Sequence, residues 1–327
     1  VQNIVVIGAG LAGYYCAEAI RRRGLKCQLI DDGVPGPSSI PQLAVYPHLA
    51  VNPEAGNRFS LLAANYMRGA PGFHAAEMIW TGQSPEDQIR LDRVAAQFTN
   101  DIMEQDLEGK TIFHHAGWLS LQSLAKNVEV DRILGQVDEI RPQGKQWRCL
   151  SNQKVIAEAD HVIIATGHGS SLIHQAVPLN KLRGQAISIS TTTLTNIINN
   201  GVTVFPSVNG QSVVSGTYSK SADKNADTNI YPEDSTFLLD EAQKIFNSLQ
   251  QSVLDGSAPL EIVAAWTGLR GSTRDRLPLV GAAPDWSVLA NLDQSVNRVS
   301  AFSAFQPGLH LCMAFGSRGA THARLSA

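Results

Sequence analysis

Apolar residues first gather at Ile4-Val5-Val6-Ile7, a continuous run of the kind shown by a parallel strand covered on both faces. Gly8-Ala9-Gly10-Leu11-Ala12-Gly13 follows, and Ala12, Tyr15, Cys16, Ala19 and Ile20 then recur at helical spacing up to Gly24. A second apolar run, Cys27-Gln28-Leu29-Ile30, ends in Asp31 and Asp32. The pattern predicts strand, glycine turn, helix and strand. Further along, Asn57 to Met67 predicts a helix with Phe59, Leu62, Ala63 and Tyr66 on one face. Pro85 to Gln105 predicts another, with Ile89, Val94, Phe98 and Ile102 as its buried stripe. Gly117 to Leu124 reads as a short strand entering a helix, and Val128 to Ile140 and Gln146 to Leu150 as strands.

Val162-Ile163-Ile164 is another buried run, closing on Ala165-Thr166-Gly167. From Leu182 the pattern changes to alternating and β-branched segments: Ile187 to Ser190, Val202 to Phe205, and Val213 to Tyr218. These predict an antiparallel sheet. Ser219 to Asp234 is polar and reads as a loop. Ser235 to Leu254 predicts a helix with Phe237, Leu238, Ala242, Ile245, Phe246 and Leu249 inward, and Ala264 to Arg270 returns to the first unit. Leu311-Cys312-Met313 is a last strand, followed by Gly316-Ser317-Arg318-Gly319-Ala320 at a helix start. The expected fold class is α/β: a Rossmann-type nucleotide domain on a parallel sheet, interleaved with a smaller α+β domain on an antiparallel sheet. Residues 1–78, 112–182 and 264–327 are assigned to the first, and 79–111 and 183–263 to the second.

The glycine pattern has a chemical meaning in this context. Gly8 allows a tight turn, Gly10 lets backbone approach a pyrophosphate, and Gly13 lets helix and strand pack closely. The helix start at Leu11 and Ala12 then presents free N–H groups and the positive dipole end to phosphate. Asp31, at the second strand end, suits ribose hydroxyls, which favours FAD or NAD over NADP. The bland alternative is a tight strand–helix turn with no ligand.

Composition narrows the partners. The 327 residues are 43% hydrophobic and 17% charged, ordinary for a globular protein, with a net charge of −3. A sequence pI near 6.3 offers no global basic field for nucleic acid, so such a contact needs a local patch. The four cysteines lack close spacing and read as buried thiols of a reducing compartment. No run of apolar residues is long enough to span a membrane. A cytoplasmic enzyme is therefore expected. His114-His115 lacks a third ligand at metal spacing, so no metal is expected. Arg21-Arg22-Arg23 reads as a solvated helix end rather than an RNA patch.

Taken together, several stretches resemble the FAD-dependent oxidoreductases of the D-amino-acid oxidase and glycine oxidase type. They are the Gly8–Gly13 unit, Ala44-Val45-Tyr46-Pro47, Asn57-Arg58-Phe59, Gly117-Trp118-Leu119, Ala165-Thr166-Gly167-His168, Gly184-Gln185, Thr273 to Gly281, and Gly316-Ser317-Arg318-Gly319. The Thr273-Arg274-Asp275-Arg276-Leu277-Pro278 block is similar to the tRNA-modifying subgroup, typified by the oxidase domain of the bifunctional tRNA 5-methylaminomethyl-2-thiouridine biosynthesis enzyme. Where that family carries a Ser-Gly-Asn turn, this chain reads Ser38-Ser39-Ile40-Pro41-Gln42.

The resemblance implies FAD as cofactor, held by Gly8, Gly10, Leu11, Ala12, Gly13, Asp31, Asp32, Leu43, Ala44, Val137, Thr166, Gly167, Arg274, Gly316, Ser317, Arg318, Gly319 and Ala320. It implies oxidation of a C–N bond in a glycine-like secondary amine, with Arg270 as carboxylate anchor and Tyr218 as a second substrate contact. His168 is expected to be structural. The implied substrate is the carboxymethylaminomethyl group of wobble uridine in tRNA, with a separate methyltransferase as a further partner. A small-molecule amine or amino-acid oxidase of the same fold, and a flavin-binding protein without oxidase activity, remain as alternatives.

Overall fold

The computed structural model describes residues 2–51, 55–107, 109–168, 172, 177, 179–191, 194–220, 228–250, 260–286, 288 and 305–327. Strand β1 (Ile4–Ile7) is buried along its whole length and forms the centre of a six-stranded sheet. It pairs in parallel with β2 (Cys27–Asp31) on one side and with His161–Ile164 on the other. Asp131–Leu134 extends the sheet beyond β2, and Phe305–Met313 extends it beyond His161–Ile164, both in parallel. Leu279–Pro284 closes that edge antiparallel. Helix α1 (Leu11–Arg22) crosses from β1 to β2 with Leu11 to Ala17 buried, and its last turn carries Arg21 and Arg22 at the favourable end of the dipole. The parallel order places the C-terminal ends of five strands along one edge, the place where open α/β sheets bind ligands.

A second, nine-stranded sheet is mostly antiparallel, and the two sheets give the mixed α/β architecture expected from the pattern. Asn180–Ser190 pairs along its length with Ile262–Ser272. Ala264 to Arg270 is therefore a strand of this sheet, and only its far end reaches the first unit, where Ser272 bridges Phe315. The helix Pro232–Gln250 covers the other face with Leu238, Ala242, Ile245 and Phe246.

Several local expectations shift. The helix from Pro85 stops at Ala95, because the chain turns at Thr99 and Met103–Gln105 pairs with Thr111–Phe113. Its buried residues are Leu91, Val94 and Ala95, while Ile89 is 52% exposed. Leu62 and Phe237, both expected inward, face solvent. Val128 to Ile140 divides into Asp131–Leu134 and Glu139–Gln143, which belong to different sheets on either side of Gly135. The helix expected from Ser235 begins at Pro232; its expected end at Leu254 and the middle of the polar loop before it lie outside the described residues. Of the cysteines, Cys16, Cys149 and Cys312 are buried thiols and Cys27 is partly so. No described helix is long and apolar enough to cross a membrane.

Candidate cofactor and substrate site

The opening unit forms a cradle at the end of the parallel sheet. Gly8 has φ +105°, and a Cβ there would meet the Ala165 carbonyl at 2.6 Å. A Cβ on Gly13 would collide with the Gly8 carbonyl, so strand and helix touch only because both residues are glycine. Gly10 differs from both. A Cβ there would meet only the Ser38 side chain, with Oγ at 3.4 Å, an ordinary contact. Leu11 N–H reaches the same hydroxyl at 3.4 Å, a long contact that leaves the helix N-terminus weakly engaged. Asp31 accepts from Ala9 N–H through Oδ2 at 2.7 Å and from Gly33 N–H through Oδ1 at 2.9 Å. Its carboxylate is thus fixed at the strand end with lone pairs to spare. Asp32 accepts from Val34 N–H instead and shapes the loop.

Of the other expected cofactor residues, two share this edge of the parallel sheet. Thr166 and Gly167 end the His161–Ile164 strand, and Gly167 takes φ +71° and accepts from Ala314 N–H at 3.1 Å. Thr166 Oγ1 is buried with no hydrogen-bond partner, a donor and acceptor awaiting a ligand. Leu43 and Ala44 lie on a short strand paired with Gly117–Leu119. Val137 is buried in the core beneath, with Ile7 and Ile30. Gly316, Ser317 and Arg318 form a 3-10 turn that leads into the helix Gly319–Ser326, where Ala320 is buried. Arg274 is exposed, on the turn that follows Ser272. Exposed Val34 and Leu134, at the ends of β2 and its neighbour, form an apolar rim that the sequence reading missed. A Gly10 front closed only by the Ser38 side chain, an orphaned Thr166 hydroxyl and a weakly used helix terminus fit a dinucleotide such as FAD.

Arg270 is set beside this cradle by a glycine on the neighbouring strand. Leu182 is its register partner, and a Cβ on Gly184 would strike its guanidinium. Nη2 donates to the Thr217 carbonyl at 2.9 Å and Nη1 to Ser317 Oγ at 3.2 Å, while Nε is buried without a partner. The Tyr218 ring lies 4.5 Å from the guanidinium carbon, although the residue is 65% exposed. Burial pulls the Arg270 pKa down, and Tyr218 pushes it back up. Among the described residues no carboxylate pairs with it, Asp275 included, whose Oδ1 is taken by Thr273 and Leu277 N–H. The outcome is a largely desolvated cation held by neutral acceptors.

Tyr46, quoted only as part of a motif, faces the same space. Burial raises its phenol to about 12, with Tyr218 adding to the rise and Arg318 opposing it. It packs edge-on to Trp80 at 5.8 Å, and its backbone exchanges hydrogen bonds with Thr321 Oγ1 at 3.3 and 3.2 Å. No local spacing reveals this, because the partners come from distant segments.

A buried brace behind the site sets an acid limit on stability. Ser60 Oγ accepts from His48 N–H at 2.7 Å and bonds His322 Nε2 at 3.1 Å. His322 is 4% exposed, and its pKa falls to about 4, mainly through burial and then through Arg318 and His48. The unfolded chain takes up this proton near pH 6.5 and the folded one only near 4. Stability is therefore lost as pH falls from about 6.5 to about 4, by up to roughly 3 kcal/mol from this residue. Melting curves across that window will show the fall, and His322→Asn will lessen it.

Comparison with known proteins agrees with this layout. The profile of the family described as FAD dependent oxidoreductase (DAO) matches residues 3–327. The tRNA 5-methylaminomethyl-2-thiouridine biosynthesis bifunctional protein MnmC of Leptospira interrogans is 26% identical over 371 residues, covering 98% of this chain and 55% of the relative. That of Chromohalobacter salexigens is 25% identical, covering 100% and 52%. The chain thus spans about half the length of these relatives. Among solved structures, glycine oxidase from Geobacillus kaustophilus superposes with TM-score 0.76 at 15% identity, covering 100% of this chain and 93% of its own. Iminodiacetate oxidase from a Chelativorans species gives TM-score 0.73 at 16% identity, covering 99% and 92%. With a cradle that fits a dinucleotide and a profile match over nearly its whole length, the chain belongs to the DAO family of FAD-dependent oxidoreductases.

Proposed function

We propose that this FAD-dependent oxidoreductase acts on a glycine-like secondary amine, and that the amine is the carboxymethylaminomethyl group of a wobble uridine in tRNA. The observation that carries the proposal is the Arg270 guanidinium, desolvated and without a carboxylate partner among the described residues. Such a group favours an incoming carboxylate, and its planar fork suits a bidentate clamp. The substrate carboxylate displaces the weaker contacts to Ser317 and Thr217, and Tyr218 backs the clamp from the side. The Tyr46 and Trp80 rings exclude water from the reacting carbon. Bound FAD supplies the two-electron acceptor for hydride; the residues above hold Cα in position. Loss of hydride from the α-carbon of the neutral amine gives an iminium ion, and water splits it into the protonated aminomethyl nucleoside and glyoxylate. Likeness to MnmC supports the tRNA-borne substrate and a methyltransferase partner acting on the primary amine released. The net charge of −3 favours the second reading, oxidation of a free small amine.

Anaerobic mixing of the yellow holoenzyme with tRNA carrying the carboxymethylaminomethyl group will bleach the flavin, and nucleoside mass spectrometry will find the aminomethyl product. Bleaching by a small glycine-type amine but not by this tRNA overturns the tRNA substrate and leaves the second reading. No bleaching by either overturns oxidase function.

A further inference from the structure

The mouth of the site carries cations that the clamp does not use. Ser272, at the end of its strand, bridges Phe315 and so holds the following turn, Thr273 to Leu277, against the Gly316–Arg318 turn. Within that turn Thr273 Oγ1 lies 2.7 Å from Asp275 Oδ1 and 2.6 Å from the Leu277 carbonyl, and Leu277 N–H donates to Asp275 Oδ1 at 3.0 Å. Arg276 sits at the tip, exposed, with φ +62°, a conformation that costs a side-chain-bearing residue energy. Strain of this kind persists where the surroundings or a function demand it. The acid beside it is spent on the turn, and among the described residues no ion pair joins Asp275 to Arg274 or Arg276.

Arg90 lies 5.8 Å from the Trp80 ring centroid, and Trp80 packs on Tyr46. Tyr46 is bonded to Thr321, close after Arg318. Arg90 also pairs with Asp87, so it is the weaker contributor. The field of the group is felt by His48, whose imidazole is partly desolvated although the residue as a whole is exposed. Desolvation first, and then Arg318, Arg90 and Arg276, lower its pKa to about 4. A positive rim on a chain of net charge −3 is local, the condition that composition set for contact with nucleic acid. Backbone phosphates of an RNA are the polyanion such a rim suits.

We propose that the Thr273–Leu277 turn, with Arg276 at its tip and Arg90 beside Trp80, is the surface that receives RNA phosphates beside the reacting nucleoside. This rests on the tRNA reading above. Phosphate contacts of this kind position the nucleic acid without reading its sequence.

The test is tRNA binding to holoenzyme by fluorescence anisotropy over a series of salt concentrations. Arg276→Gly is the informative variant, because glycine adopts φ +62° without strain and the turn will stay folded. We expect affinity to fall severalfold to about tenfold at low salt and the salt slope to drop by about 1, with a melting temperature equal to or above the parent's. Adding Arg90→Gln will lower affinity and slope further. Unchanged affinity and slope in both variants overturn the surface while leaving the tRNA substrate standing. A parent holoenzyme that binds no tRNA, yet is bleached by a small glycine-type amine, overturns both.

Discussion

Gly10→Val will give a folded, colourless protein. A Cβ at Gly10 has Ser38 Oγ at 3.4 Å as its nearest neighbour, an ordinary contact, so the apo fold tolerates a side chain there. The space it fills is the approach to the N-terminus of α1, where the Leu11 N–H is only weakly held by Ser38. Losing two charge-assisted hydrogen bonds from backbone N–H to phosphate, at roughly 1.5–3 kcal/mol each, weakens FAD binding by about a hundredfold or more. The readouts are the flavin absorbance of purified protein and titration of the apoprotein with FAD. Gly13 is the contrasting position: any Cβ there collides with the Gly8 carbonyl, so Gly13→Ala will lower the melting temperature of the apoprotein as well. A fully yellow Gly10→Val protein would place the phosphates elsewhere.

The difference between these two glycines marks what the sequence can show. The Gly8–Gly13 unit was legible because its chemistry is local: strand, turn, helix and acid follow one another within about one βαβ unit. The antiparallel sheet was legible through its alternating residues, and the Gly316–Gly319 turn through its place after an apolar run. Contacts between distant segments were not legible. Gly184 carries the space for Arg270, but nothing near Gly184 in sequence announces a guanidinium two strands' width of loops away in the chain. Tyr46 and Trp80 meet only when the first strand-loop and the second sheet come together. The helix read from Pro85 does begin there, where Ser84 Oγ caps Asp87 N–H. Its end was not, because pairing of Met103–Gln105 with Thr111–Phe113 overrides the continuing apolar spacing. Ile89 and Phe237 fit their helical stripes yet face solvent, since a periodic stripe is wider than the face a neighbour covers.

Arg270→Ala will leave the protein yellow and strip it of most of its activity. The guanidinium touches Thr217, Ser317 and Tyr218, and of these only Ser317 belongs to the expected cofactor cradle. A charge-assisted clamp on a substrate carboxylate contributes roughly 1.5–3 kcal/mol, so catalytic efficiency falls about tenfold to a hundredfold. Arg270→Lys will recover only part of this, because a compact ammonium cannot reproduce the planar fork and its stem reaches a different point. Gly184→Ala tests the same clamp from the other strand. Its methyl occupies the place of the guanidinium and pushes that group aside, so the loss will resemble that of Arg270→Ala although the arginine is still present. Anaerobic flavin reduction by a glycine-type amine, compared with the decarboxylated analogue, separates the outcomes. The parent will prefer the carboxylated amine, and both variants will lose that preference. An unchanged preference in Arg270→Ala means that the carboxylate binds elsewhere. Loss of FAD together with activity would make Arg270 a structural residue of the cofactor cradle, acting through its hydrogen bond to Ser317.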